Sequence, residues 1–410
     1  MNRLPVVLIA LAASAIGTQP NAGDATTAPP GIRVVGYLAS WGVRSKGTMI
    51  ANLPAADLTH IFYAFAEIAP DGSVTLANKC LDSGACGPRE TLPDRAGGNF
   101  GELQRLKHRY PHLKLAISIG GWGGSARFSD AALTDSSRRK FASSAIDLFI
   151  RKWPGLFDGI DIDWEFPVKG GLKGNVERPE DKRNFTLLLA ELRRELDGQG
   201  ARDHRHYELT IAASARPSEI ANIELDQIVP LLDFINVMTY DYHTGGSIAH
   251  FNAPLFAAAN DPTPELTVDA SMRAFEEGSA PREKLLVGIP FFARVYGGVP
   301  NVNGGFLQPS TKRPDDWRDS DGDWRRLSRT RLIDPRYTRH WEPSAQVPWL
   351  YDRQSGTWIS YDDPESVRAK MRYVRDQKLG GVVIWEIGAD DGRLMREIAR
   401  GSRPASTDSR

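Results

Sequence analysis

The chain has 410 residues, with 51 basic and 51 acidic side chains and a formal net charge of zero. This length suits one large domain or two ordinary ones, and the balanced charge gives no footprint for nucleic acid or for an anionic membrane surface. A 41% apolar content, with 38 Gly and 27 Pro, argues against a disordered chain and for a loop-rich globular enzyme.

Residues 1–22 read as a secretory signal. Arg3 supplies the charged start, residues 6–16 are an apolar run, and Ala15, Gly17 and Ala22 offer several cleavage points. The run is short for a bilayer span, although an uncleaved anchor is the alternative. Residues 23–31 read as a flexible lead, and no later segment is suited to crossing a membrane. Two cysteines, Cys80 and Cys86, stand close in sequence. In an exported protein they suggest a small loop disulfide, with two free thiols as the alternative. Without nearby histidines they do not suggest zinc.

Eight short apolar runs follow, at 34–38, 58–65, 114–119, within 155–167, 208–213, 234–240, 285–290 and 382–385. Their length and flanking turn residues fit buried parallel strands. Segments between them have helical periodicity. Phe141, Ala145, Leu148 and Phe149 make one apolar face, and Phe185, Leu188, Leu189, Leu192 and Leu196 make another. Asp363-Pro364-Glu365 is a helix start, followed by Val367, Met371 and Val374 at helical spacing. The alternation argues for an α/β fold, a (β/α)8 TIM barrel spanning 32–294 and 358–400, with an open doubly wound sheet as its rival. Residues 295–357 are far more than one crossing needs and carry Trp317, Trp324, Trp341 and Trp349. They read as an inserted α+β lobe walling one side of a cleft. Asp319 to Asp323 is only loosely like a calcium loop and reads as a solvated acidic turn. The tail, 401–410, is polar and expected to be disordered.

The fourth run is the most informative. Asp161, Asp163 and Glu165 stand two residues apart, with Ile160, Ile162 and Trp164 between and beside them. On a strand the three acids share one face and the apolar residues the other. Like charges so close cannot all ionise easily, so a proton is retained, as a general acid requires. The intervening Ile and Trp oppose a calcium loop, and a structural ion-pair network is the plainer alternative. Ser118, Glu165, Tyr240, Asp241, Arg294 and Trp385 all fall at or near strand C-terminal ends, the end where barrels build active sites.

These stretches resemble the family 18 glycoside hydrolases, the chitinases with a substrate-assisted mechanism. The resemblance covers roughly 32–398 and rests on Asp158-Gly-Ile-Asp-Ile-Asp-Trp-Glu165, Ser118-Ile-Gly-Gly121, Met238-Thr-Tyr-Asp241 and Trp385. It implies a secreted enzyme, endo- or exo-acting, that cleaves β-1,4-linked N-acetylglucosamine in chitin or chito-oligosaccharides with retention. A single-chain monomer is expected, with no nucleic-acid or membrane partner, and no metal or cofactor is implied. Glu165 would be proton donor and then base. Asp163 would hold the substrate's acetamido N–H, and Asp161 would share a proton with Asp163. Tyr240 would bind the acetyl carbonyl, Asp241 would contact the sugar, and Trp385 would form the floor. Tyr37 and Ser118 match positions that hydrogen-bond the inner aspartate. Met238 would pack under the site, Arg294 is a substrate-ligand candidate, and Trp122 and Trp41 are either cleft aromatics or rim core. Asp158 is given a structural role by its strand parity. The chain departs from the family pattern at Phe292-Ala293-Arg294, where a Tyr-Gly usually precedes the arginine. Alternatives are a non-catalytic lectin of the same fold, against which the presence of Glu165 counts, and a hydrolase of N-glycan cores or peptidoglycan.

Overall fold

The computed structural model describes residues 31–45, 47–87, 97–311, 313–314 and 317–403. The expected signal segment, nearly all of the lead and most of the polar tail lie outside the described residues.

Each of the eight apolar runs forms a strand, and the strands close on themselves. In chain order the strands are β1 (Arg33–Ala39), β2 (His60–Ile68), β3 (Val74–Leu76), β4 (Lys114–Gly120), β5 (Gly159–Asp163), β6 (Glu208–Ser214), β7 (Phe234–Met238), β8 (Leu285–Pro290), β9 (Arg294–Tyr296), β10 (Thr338–Glu342), β11 (Val347–Asp352), β12 (Thr357–Ser360) and β13 (Gly381–Trp385). The order β1-β2-β4-β5-β6-β7-β8-β13 is parallel throughout, and β13 pairs back onto β1. That closure excludes the open sheet. Strand β3 is an antiparallel addition to β2.

The barrel interior is filled by Val35, Tyr37, Phe62, Ala116, Phe234, Leu286 and Val383. The outer strand faces pack on helices. On β5, Ile160 and Ile162 are buried outward, and Trp164 just beyond stacks on Phe128 at 5.2 Å. Asp161 and Asp163 therefore point inward. The helix Asp181–Asp203 buries Phe185, Leu188, Leu189, Leu192 and Leu196, the stripe read from the sequence. The helix Pro364–Asp376 begins at Asp363, whose carboxylate accepts from the Glu365 and Ser366 N–H groups. The alternation is uneven. After β6 the crossing consists of two four-residue helices, Pro217–Ile220 and Leu225–Ile228, and a three-residue turn.

Strands β9 to β12 form a separate antiparallel sheet in the order β10-β11-β12-β9. Trp349, Trp358, Tyr296, Phe306, Val347 and Tyr351 make its core. Phe251 joins them, stacked on Phe306 at 4.5 Å, with Ala249 and Ala258 beside it. The segment 239–267, read in the sequence as part of the barrel, thus supplies part of the lobe's core. Cys80 and Cys86 are disulfide-bonded. At the acidic turn, Arg313 pairs with Asp319 at 2.8 Å and Arg326 with Asp321 at 2.6 Å.

Candidate active site

The parallel register brings four donors from four strands onto one carboxylate. Asp161 Oδ2 accepts from the Tyr37 hydroxyl and from Ser118 Oγ, both at 2.7 Å. Its Oδ1 accepts from Thr210 Oγ1 at 2.7 Å and Asn236 Nδ2 at 3.3 Å. Burial pushes the Asp161 pKa above the ordinary range, and the four hydrogen bonds oppose it. Both oxygens are thereby engaged, and among the described residues no hydrogen bond joins Asp161 to Asp163. The Asp161 charge nevertheless acts on Asp163 and raises its pKa. Tyr37 and Ser118 contact the inner aspartate as the resemblance implies. Thr210 and Asn236 were missed, although each is a polar residue inside an apolar strand and carried that signal.

Asp163 ends strand β5 and is buried. Its Oδ1 has no hydrogen-bond partner. Its pKa is pushed well up, first by burial and then by the charges of Glu165 and Asp161. An acceptor so placed needs a proton or an incoming donor. Its main chain is held by the end of β4: the Gly121 N–H donates to Asp163 O at 2.8 Å. Gly120 and Gly121 both have positive φ, and a β-carbon on them would come within 2.3 Å of Asp163 O and 2.5 Å of the Phe65 ring. Only glycine allows that approach.

Glu165 lies just past the strand. Its N–H donates to Ser125 Oγ, and its carbonyl accepts from Asn175 Nδ2, both at 2.9 Å. Burial raises its pKa to about 8, with added repulsion from Asp241 and then Glu219. The sequence reading attributed the retained proton to the neighbouring aspartates. Desolvation is the largest cause, Asp241 just past β7 and Glu219 in the short helix after β6 add to it, and Glu165 and its neighbour Asp163 repel one another as well. Ser125, Asn175 and Glu219 lie in loops or a short helix and had no periodic signal. Asp158 sits at the opposite end of the barrel, bonded to Lys107 at 2.5 Å, to the Leu115 N–H at 2.8 Å and to Arg205. Its structural assignment stands on those contacts.

After β7, Tyr240 packs edge-on to Phe292 at 5.7 Å. Asp241 takes a left-handed backbone conformation with φ 59°. Its Oδ1 accepts from Arg294 Nε at 2.6 Å, so Arg294 is committed to Asp241 as well as facing the cleft. The Arg294 guanidinium also covers the Phe292 ring at 4.9 Å. Burial raises the Asp241 pKa, while Arg294 and Arg216 oppose the rise.

Tyr37, Asp163, Glu165, Tyr240, Asp241 and Arg294 line a cleft of about 1080 Å³. Trp385 stacks on Phe65 at 5.7 Å and meets Tyr37 and Trp41 at 5.6 and 6.4 Å. Met238 lines the cleft half-buried. Trp41 and Trp122 are 46% and 52% exposed, so they present open faces to the cleft and are not rim core. Trp317 and Asp319 bring the lobe to the same cleft.

A parallel barrel with a buried acid at its mouth, an unbonded aspartate beside it and aromatic walls defines a glycoside hydrolase. The sequence profile described as glycosyl hydrolases family 18 matches residues 33–390, and the chain belongs to that family. Chitinase A1 of Niallia circulans is 35% identical over 437 aligned positions, covering 97% of this chain. The chain spans 62% of that relative's length. Chitinase ChiA74 from Bacillus thuringiensis is similar in structure, with a TM-score of 0.83 at 33% identity, covering 91% of this chain and 70% of that one. A family 18 N-acetylglucosaminidase from Paenibacillus barengoltzii gives a TM-score of 0.76 at 33% identity, covering 90% and 99%.

Proposed function

We propose that the chain hydrolyses β-1,4 linkages of N-acetylglucosamine in chitin and chito-oligosaccharides, with retention and with the substrate's acetamido group as nucleophile. The observation that carries this reading is the placing of Glu165, protonated up to about pH 8, beside Asp163, whose Oδ1 has no partner. Glu165 gives its proton to the glycosidic oxygen as the bond to the anomeric carbon breaks. The acetamido oxygen attacks that carbon, and the Asp163 carboxylate accepts the acetamido N–H and faces the positive charge of the oxazolinium ring. Glu165, now a carboxylate, takes a proton from the water that opens the ring. The oxygen of Tyr240, near these groups, would donate to the acetyl carbonyl. Two of the similar proteins are chitinases by name, which supports a chitin-type substrate.

Glu165→Gln removes the proton donor and should lower turnover of a chromogenic chitobioside about 10²- to 10⁴-fold. Binding of a chito-oligosaccharide, followed by calorimetry, should change little. Native turnover in this variant would sink the assignment. Export belongs to the same proposal, supported by the Cys80–Cys86 bond, since such bonds persist in oxidising compartments. Mass spectrometry of the N-terminus of protein recovered from culture medium checks it: an unprocessed start, or no protein in the medium, counts against it.

A further inference from the structure

The turn at Asp241 is held in a conformation that a side chain with a β-carbon seldom adopts. A left-handed φ at a residue other than glycine persists when surrounding contacts over-determine it. Three contacts do so. The Asp241 N–H donates to Asn252 Oδ1 at 3.0 Å, and Arg294 Nε donates to its carboxylate. The third comes from Arg216, just past β6. Its Nη2 donates to the carbonyl of Asp241 at 2.7 Å and to that of Tyr242 at 2.6 Å. Charge-assisted bonds of this kind are stronger than neutral ones.

Arg216 is itself fixed. Its N–H donates to Ser214 Oγ at 3.2 Å, and the same hydroxyl donates to Glu219. The guanidinium therefore ties the end of β6 to the turn after β7. We infer that Arg216 is a positioning residue for the hydrolysis: its clamp on two main-chain carbonyls keeps the Asp241 carboxylate and the adjoining Tyr240 aligned with Glu165. Its charge also opposes protonation of Asp241. The inference rests on the functional reading given above.

Both carbonyls bond a single nitrogen, so a lysine ammonium can serve both while an alanine serves neither. Arg216→Ala should lower kcat on a chromogenic chitobioside about 10- to 100-fold, with KM moving far less, because small misplacements of reacting groups cost that much. Arg216→Lys should recover most of the native kcat. Active sites are counted by titration with a thiazoline mimic of the cyclised intermediate, so unfolded protein does not enter kcat. Native kcat in Arg216→Ala, or equal losses in the Ala and Lys variants, overturns the inference and leaves the functional reading intact. A native chain that neither cleaves the chitobioside nor binds the thiazoline overturns both.

Discussion

At Glu165 the retained proton has causes distant in the chain as well as the repulsion of its neighbour Asp163. Burial contributes most, and the carboxylates that add to it are Asp241 and Glu219, 76 and 54 positions further along the chain by subtraction of the residue numbers. Glu165 works as an acid only while protonated, so kcat/KM should fall as pH rises through about 8. Glu219→Gln removes one of the negative neighbours and should move that alkaline limb to lower pH. A pH–rate profile with the limb unmoved or raised would contradict the role given to Glu219. Asp161 and Asp163 were legible because strand alternation puts them on one face of β5, and Glu165 because it continues their spacing just past the strand. Thr210 and Asn236 were legible in principle as polar breaks in apolar strands. Arg216, Glu219, Ser125 and Asn175 were not, since loops and very short helices have no period and their contacts exist only after the barrel closes.

Among the elements, the helix Pro364–Asp376 carries a burden away from the chemistry. Lys370 on its inner face is paired at 2.7 Å with Asp362, and both side chains are essentially inaccessible to water. The Ser366 hydroxyl also donates to Asp362 at 2.6 Å. Burial lowers the Lys370 pKa and raises that of Asp362, each against the pull of its partner. Lys370→Met leaves a buried carboxylate with one hydroxyl donor and should destabilise the fold by about 3–5 kcal/mol. Adding Asp362→Leu should recover much of that loss. Urea unfolding of the two variants checks both halves, and a double variant no better than the single would show that the pair itself stabilises. Sequence pattern gave this helix its start, its Pro and its apolar stripe. It did not single out Lys370, because a lysine in a helix is ordinarily solvated.

Across the whole molecule, carboxylates pull stability in opposite directions with pH. Glu208, Asp261 and Asp391 have folded pKa values lowered to about 2, Glu208 and Asp261 through bonds to His60 and His250 among others. Their contribution is full above the ordinary carboxylate range and disappears as pH falls from about 4 to about 2. The raised Glu165 does the reverse: it costs nothing below about 4.5, and its cost grows until pH passes about 8. Glu165→Gln should therefore stabilise the protein at pH 8, by a few kcal/mol as an order of magnitude, and leave it unchanged near pH 4. Melting temperatures at the two pH values provide the check; equal shifts at both would refute the linkage.

The lobe leaves and rejoins the barrel at neighbouring points, since Arg294 of β9 is paired with Ser360 of β12. Such adjacent ends invite transplantation, the lobe of one barrel being spliced onto another through a short bridge. Phe251, stacked on Phe306, forbids a clean cut, because it comes from a different stretch of chain and would be stripped bare. A chimera exchanging 295–357 alone should therefore aggregate, whereas one that also carries 249–258 from the same donor should remain dispersed on gel filtration. A dispersed single-segment chimera would mean that the aromatic seam is dispensable.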